Sequence, residues 1–169
     1  MTPSPTNISK RFFGRHPNAE TVEAWTLTGR GGLELEVLSY GAIVRRIEAP
    51  NEADEKTDVV LGYDTLENYL NDPFYMGATV GRIAGRVSGG KLRIADTDFQ
   101  LPTNEGVNHL HGGPDSFHSK IWTVKPLSEG DEVPKISLKY HSPHLENGYP
   151  GNLDCEVIIS ITDENEFVY

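Results

Sequence analysis

The chain has 169 residues, and its 15 Lys and Arg against 25 Asp and Glu give a net charge of -10 and a pI near 5.0. Because an acidic surface repels phosphate backbones and anionic lipid, nucleic acid and membrane surfaces are not expected partners. The single cysteine, Cys155, cannot form an internal disulfide, which fits a reducing compartment. The polar N-terminal segment has no apolar run typical of a secretory signal, so the expected location is the cytoplasm.

Alternating apolar and polar residues predict an all-β chain with one short helix. The alternation has the period of a half-buried strand and is clearest at 155–162. A polar turn at 96–98 between two short apolar runs predicts a hairpin. Residues 65–70 are predicted to form the helix, with Asp64 or Thr65 as its N-cap. In chain order, the predicted strands are 33–38, 43–47, 59–61, 91–94, 99–101, 121–124, 136–140 and 155–162.

The C-terminal residues 160–169 show the end of one strand, a polar turn and the first residues of another strand. A strand that begins and is not completed leaves an unpaired edge. We therefore expect the chain to be part of a longer protein.

A glycine-rich segment at 77–90 is the first candidate for function, because glycines let the backbone approach a ligand closely. It contains Arg82 and Arg86, four residues apart. No Gly-Lys-Ser or Gly-Lys-Thr follows, so it is not a P-loop, and no βαβ unit surrounds it as a dinucleotide site requires. The spacing alone favours a turn between strands with two solvated arginines.

A second candidate is the segment 104–113, which contains His109 and His111. On a strand, a His-x-His pair places both imidazoles on one face, a spacing that suits a metal, with Asp115 or His118 as a third ligand. The pattern alone favours a polar strand end, with one histidine turned to the core and bonded to a backbone carbonyl. A metal-free use is also open, in which an imidazole donates to a hydroxyl or ring oxygen.

The third segment, 141–151, contains Asn-Gly and Pro-Gly turn signals and predicts a long loop in which His141 and His144 face solvent. Trp25 and Trp122 are predicted to be core residues rather than sugar-stacking platforms. No Gly-x-Ser-x-Gly elbow occurs, so a covalent nucleophile is not expected.

Five motifs occur in order and at consistent separations. They are Val60-Leu61-Gly62-Tyr63-Asp64 with Tyr69-Leu70; 77–86; Asn104-Glu105-Gly106 with Leu110-His111-Gly112-Gly113 and Trp122; Gly148-Tyr149-Pro150-Gly151-Asn152-Leu153; and Thr162-Asp163-Glu164-Asn165-Glu166. Together they resemble the aldose 1-epimerase family from about Leu33 onward. The resemblance implies an all-β, galactose-mutarotase-like antiparallel β-sandwich (a supersandwich), incomplete in this chain. Residues 1–169 would be the N-terminal portion of a single aldose 1-epimerase domain, with 1–19 as a flexible or edge segment.

The family's activity, as the resemblance implies it, is the interconversion of α and β anomers of an aldohexose, galactose or glucose, without cofactor or metal. Arg86 matches the substrate-binding arginine. His111 matches the active-site histidine near the sugar ring oxygen, and is therefore the expected catalytic and sugar-binding residue. Asn104 is a weaker candidate for sugar binding, and His109 has no fixed counterpart. Gly85 departs from the asparagine that many members carry before the arginine.

The family's second histidine, a sugar-binding aspartate and the general-base glutamate are expected beyond Tyr169. By resemblance, the intact enzyme is active on a monosaccharide and the 169-residue chain alone is not; whether it forms a homodimer stays open. One alternative is a non-catalytic sugar-binding or sensor module of the same fold. Another is a cupin-like metalloprotein that uses His109 and His111.

Overall fold

The computed structural model describes residues 7–53, 55–130 and 132–169. This part of the chain consists mainly of antiparallel strands and has one short α-helix, α1 (Leu66–Leu70), and 3₁₀ turns at Ser88–Gly90, Phe117–Ser119 and Glu146–Gly148. The strands are β1 (Asn7–Arg15), β2 (Thr21–Thr28), β3 (Glu34–Leu38), β4 (Val44–Pro50), β5 (Lys56–Asp58), β6 (Arg86–Val87), β7 (Lys91–Ile94), β8 (Thr97–Gln100), β9 (His109–Leu110), β10 (Thr123–Pro126), β11 (Lys135–Ser142), β12 (Leu153–Ile161) and β13 (Phe167–Val168). None of the helices in the described ranges is long and apolar enough to cross a bilayer.

Two sheets pack face to face around the main core. One has the order β1-β2-β3-β4-β5 and the other β10-β11-β12-β13, with every neighbouring pair antiparallel. Alternate residues of β2, β3, β11 and β12 point into the space between them, as the two-residue period of a strand requires. Trp25 and Trp122 belong to this core, so their prediction as core residues is confirmed. The strands predicted from the alternation and the antiparallel β-sandwich implied by the family resemblance are both observed.

A second, smaller core covers the opposite face of the five-stranded sheet. Leu66 and Tyr69 of α1 are buried there together with Val22 and Leu38 of the sheet. The helix begins after Thr65, whose Oγ1 accepts a hydrogen bond from the N–H of Asn68 at 3.4 Å. The predicted helix and its N-cap are therefore confirmed.

The predicted strand at 59–61 is wrong. The strand in this region, β5, ends at Asp58, and Leu61 beyond it is 79% exposed. Oδ1 of Asp58 accepts from the N–H of Val60 at 3.2 Å, which turns the backbone away from β4. The apolar run at 59–61 therefore does not form a strand, because the hydrogen bond between Asp58 and Val60 ends the pairing with β4.

A short ladder outside the two sheets joins the glycine-rich segment to the histidine segment. β6 pairs with β9, so Arg86 lies opposite Leu110 and Val87 lies opposite His109. The chain then turns at Gly112, which has a φ of +88° and lies against the carbonyl of Gly81. A Cβ at this position would overlap that carbonyl, so only glycine allows the two segments to approach this closely.

Candidate functional site

The β6–β9 ladder brings together two of the predicted site residues from segments that are distant in the sequence. Arg86 begins β6, and His111 directly follows β9. The N–H of His111 donates to the carbonyl of Gly85 at 3.0 Å, which extends the ladder by one bond. Arg86 is exposed and His111 is half-buried, so a ligand at the surface can reach both side chains.

The imidazole of His111 is held in one orientation. Its Nδ1 accepts a hydrogen bond from the N–H of Gly85 at 3.1 Å, and the ring of Tyr75 meets it edge-on with 5.1 Å between ring centroids. Because Nδ1 is an acceptor, the proton of the neutral ring is on Nε2. The site therefore presents an Nε2–H donor whose direction is set by the backbone of Gly85.

The guanidinium of Arg86 forms a two-bonded ion pair with Glu105. Nη2 of Arg86 lies 2.8 Å from Oε1, and Nε lies 3.2 Å from Oε2. Nδ2 of Asn108 also donates to Oε2, at 3.2 Å. These hydrogen bonds, that from Arg86 foremost, lower the pKa of Glu105, and the carboxylate in turn raises the pKa of Arg86. Both groups stay charged at neutral pH, at a partly exposed position.

The amide of Asn104 binds the chain itself. Its Oδ1 accepts from the N–H of Leu110 at 2.7 Å, and its Nδ2 donates to the carbonyl of Leu110 at 3.0 Å and to the hydroxyl of Tyr75 at 3.4 Å. These contacts fix the residue that precedes His111. A direct contact between Asn104 and a sugar stays a prediction.

The expectation that His109 and His111 share one face is wrong. Strand β9 ends at Leu110, and His111 has a φ of +51°, so the two-residue alternation stops between them. His109 is fully buried; its Nδ1 lies 2.7 Å from the carbonyl of Pro102 and its Nε2 lies 2.7 Å from the hydroxyl of Tyr149. The alternative of a core histidine bonded to a backbone carbonyl is confirmed for His109.

No group of three or more His, Cys, Asp or Glu side chains within residues 7–53, 55–130 and 132–169 is arranged to hold a metal ion. His118, one of the two further ligands considered, faces Tyr75 with 4.7 Å between ring centroids, and its Nδ1 lies 3.1 Å from the hydroxyl of Ser116. Burial lowers the pKa of His118. The ring of Tyr75 thus contacts both His111 and His118.

Arg82 is not the solvated arginine that its spacing predicted. Its guanidinium donates to the hydroxyl and the carbonyl of Ser142, both at 2.9 Å, and to the carbonyls of Pro143 and Pro150 at 3.0 and 3.1 Å. It also lies 5.7 Å from the ring centroid of Tyr149. Arg82 therefore holds the predicted loop at 141–151 in place, and of the two arginines only Arg86 is exposed. His141 and His144 are exposed, as predicted.

Two residues that contact the predicted site residues were not identified from the sequence. Glu105 lies within one of the five motifs, and its position beside Asn104 is a signal from which a charged partner for Arg86 could have been predicted. Tyr75 lies 29 residues before Asn104, and no spacing rule links it to the site. Its contacts with Asn104 and His111 depend on the tertiary fold.

Solved structures similar to this one share its architecture. A galactose 1-epimerase from Lactobacillus acidophilus NCFM superimposes with a TM-score of 0.82 at 30% sequence identity, over 96% of this chain and 46% of the other. An aldose epimerase homologue from C. elegans has a TM-score of 0.74 at 23% identity and supports the fold alone. The fold is therefore the galactose-mutarotase-like antiparallel β-sandwich that the sequence predicted.

Sequence comparison identifies the family to which the chain belongs within this fold. The sequence model of the aldose 1-epimerase family matches residues 23–169, and the chain belongs to this family. Among its relatives, the galactose mutarotase of Bos taurus is 36% identical over 163 residues, which are 96% of this chain and 46% of the relative. The aldose 1-epimerase of Escherichia coli K12 is 27% identical over 149 residues, 88% of this chain and 42% of the relative. The chain thus spans less than half the length of these relatives.

Proposed function

We propose that this chain supplies the sugar-orienting part of an active site that interconverts the α and β anomers of an aldohexose, galactose or glucose. The observation that carries the proposal is the fixed orientation of His111, whose Nδ1 accepts from the N–H of Gly85, the residue before the exposed Arg86. An oriented neutral donor and a permanent cation on the same short ladder suit a ligand with several hydroxyl groups and a ring oxygen. Membership of the aldose 1-epimerase family supports this reaction class.

In the proposed reaction, the sugar ring opens to the aldehyde and closes again from either face. A donor protonates the ring oxygen while a base takes the proton from the anomeric hydroxyl, and rotation about the C1–C2 bond precedes reclosure. Nε2–H of the neutral His111 would donate a hydrogen bond, and not its proton, to the ring oxygen, and Arg86 would hold sugar hydroxyls through its N–H groups. The proton itself is proposed to come from an acid group outside these 169 residues. These steps require only proton transfers, so we propose no metal or cofactor.

The remaining acid and base groups are proposed to come from sequence outside these 169 residues. Support for this comes from the length of the chain, which spans 46% of the bovine relative. In this proposal the 169-residue chain binds a monosaccharide in the cytoplasm without converting its anomers, and nucleic acid and membranes are not partners.

Polarimetry of freshly dissolved α-galactose tests this function. A form of the protein as long as its relatives is expected to accelerate the decay of optical rotation, whereas residues 1–169 are not. In the longer form, His111→Ala is expected to lower turnover by about 10²- to 10³-fold, the usual contribution of one preorganised hydrogen-bond donor where charge develops. Strong activity of the 169-residue chain, or an unchanged rate in His111→Ala, would contradict the proposal.

The same experiment separates the enzyme from a sugar-binding or sensor module. The observation that favours such a module is that Arg86 and His111 already form an accessible polar set within this chain. A longer form that binds galactose without accelerating the change in optical rotation would support the module and not the epimerase.

A further inference from the structure

We propose that Glu105 is a specificity-determining residue of this site: its Oε1 accepts a hydrogen bond from one hydroxyl group of the sugar, while the guanidinium of Arg86 donates to the sugar. The inference rests on the proposed function, because it assumes that the ligand is a sugar. It goes beyond that function by assigning a role to a carboxylate that neither the motif nor the family match assigns.

The hydrogen bonds of Glu105 leave one carboxylate oxygen only partly used. Oε2 accepts from Nε of Arg86 and from Nδ2 of Asn108, both at 3.2 Å, whereas Oε1 accepts from Nη2 of Arg86 alone, at 2.8 Å. A carboxylate oxygen has about two lone-pair positions. Oε1 can therefore accept one further hydrogen bond, next to the Nη2 atom that it already binds.

The guanidinium of Arg86 keeps N–H donors that Glu105 does not use. Glu105 uses Nε and one N–H of Nη2, out of the roughly five N–H donors that a guanidinium carries. Among the described residues, no hydrogen bond engages Nη1 of Arg86. The side chains of Arg86 and Glu105 are 60% and 39% exposed, so a ligand can reach both the free donors and Oε1.

A sugar hydroxyl matches this pair because it can donate one hydrogen bond and accept others at the same time. Donation to Oε1 and acceptance from the guanidinium would both be charge-assisted, and such bonds are stronger than neutral ones. A sugar that lacks this hydroxyl, or carries it on the other face of the ring, would leave the free lone pair of Oε1 without a hydrogen bond from the ligand. The pair therefore discriminates between sugars at one ring position.

The backbone at Glu105 makes this arrangement rigid. The N–H of Glu105 donates to the carbonyl of Asn108 at 3.1 Å, and the N–H of Asn108 donates back to the carbonyl of Glu105 at 2.9 Å. Asn104, the preceding residue, is bonded to Leu110, which precedes His111. Glu105 is thereby connected to the strand that carries His111, and its carboxylate keeps a defined position relative to that imidazole.

The ion pair between Arg86 and Glu105 is not expected to stabilise the fold appreciably, because pairs between exposed side chains contribute little to the free energy of unfolding. We therefore expect Glu105→Gln to leave the thermal unfolding midpoint of the chain close to that of the wild type. This expectation separates a role in ligand selection from a structural role, which would lower the midpoint.

The test is an NMR titration of the 169-residue chain with galactose and with its 2-, 3-, 4- and 6-deoxy analogues. The wild type is expected to bind one of the analogues about tenfold more weakly than galactose. Glu105→Gln should weaken galactose binding by about tenfold and abolish the penalty for that same analogue, while the matched control Glu129→Gln, at an exposed position outside the site, behaves like the wild type.

The outcomes distinguish this inference from the proposed function. If the wild type binds galactose and Glu105→Gln keeps the wild-type preference among the analogues, the proposal that Glu105 determines specificity is wrong. The proposed function is then unaffected. A wild type that binds none of these sugars would overturn the proposed function and this inference with it. A lowered unfolding midpoint in Glu105→Gln, with the preference unchanged, would make the residue structural.

Discussion

Gly85 and His111 are joined by two reciprocal hydrogen bonds: the N–H of Gly85 donates to Nδ1 of His111, and the N–H of His111 donates to the carbonyl of Gly85. One bond fixes the backbone and the other fixes the ring. Both residues have left-handed backbone conformations, with φ of +83° and +51°. For His111 this conformation costs about 1–3 kcal/mol, a cost that typically persists where the surroundings require a precise geometry. The imidazole is therefore oriented by Gly85 at the expense of local stability.

Substitution of Gly85 tests this relationship. No heavy atom lies within 4 Å of the position that a Cβ would take, so space does not restrict the residue, but its φ does. Asparagine adopts the left-handed region far more readily than β-branched residues. We expect Gly85→Asn to lower the free energy of unfolding by about 1 kcal/mol and Gly85→Val by about 2–3 kcal/mol, measured by urea denaturation.

Gly151 provides the matched control for this pair. It has a φ of +77°, open space around its Cβ position and an N–H that donates to Nδ1 of His144 at 2.8 Å, as Gly85 does to His111. Gly151→Asn should therefore have the same effect on stability as Gly85→Asn. A much larger loss at Gly85 would show that an asparagine side chain there displaces His111.

Much of the fold could be predicted from the sequence because its signals are local. The alternation in β12 and the capping threonine before α1 each depend on neighbouring residues, and both predictions are confirmed. The strands β1 and β2 were not predicted. The exposed β1 has no regular apolar face, and in β2 burial passes from Val22 and Ala24 to Trp25 and Leu27, so a strict two-residue period does not cover the strand.

The site was less predictable because it depends on contacts between distant segments. The sequence motifs identified His111 and Arg86, and the ladder of β6 and β9 shows that they lie close together on the chain's surface. The sequence could not predict that His109 is buried while His111 lies outside the strand. That difference arises because β9 ends at Leu110, and this end depends on the turn at Gly112 and its packing against Gly81.

His118 is expected to make the free energy of unfolding fall as the pH drops through 6.5, the ordinary pKa of a histidine. Burial lowers its pKa below the ordinary value of 6.5, and this outweighs the opposing charge of Asp115; His111 and Lys120 lower the pKa further, and Asp72 raises it. The unfolded chain therefore binds a proton more readily than the folded chain. The contribution of neutral His118 to stability is fully present above pH 6.5 and is lost as the pH falls through 6.5 toward the pKa of the folded state.

The variant His118→Gln removes this titration while keeping polar atoms near Ser116. The free energy of unfolding, measured by urea denaturation at pH 7.5, 6.5 and 5.5, should fall more steeply for the wild type than for His118→Gln, by at most about 1.4 kcal/mol per pH unit for a single group. Parallel pH profiles for the two proteins would contradict the assignment to His118.

Glu36 connects three strands of the larger sheet, and its removal should destabilise the protein strongly. Its carboxylate is 3% exposed and accepts from Arg11 of β1, with Nη2 to Oε1 at 2.9 Å, and from Nε of Arg45 of β4. Burial pulls the pKa of Glu36 upward, but the hydrogen bonds and charges of the two arginines outweigh it, and the net pKa is lowered. Because Glu36→Ala would leave the mostly buried guanidinium of Arg45 with only its long polar contacts among the described residues, to Asp64 and to the carbonyl of Tyr63, at 3.7 and 3.5 Å, we expect a loss of about 3 kcal/mol in the free energy of unfolding.

Two comparisons make the prediction for Glu36 specific. Glu36→Gln should cost less than Glu36→Ala, because the amide oxygen can still accept from one arginine. Asp98→Ala, which breaks an exposed pair with Arg93, should change stability little. The contribution of Glu36 should persist above pH 4.5 and disappear as the pH falls through its lowered pKa, since protonation then removes the charge that the arginines stabilise. Equal urea midpoints for Glu36→Ala and Asp98→Ala at pH 7 would show that the buried cluster does not hold the three strands together.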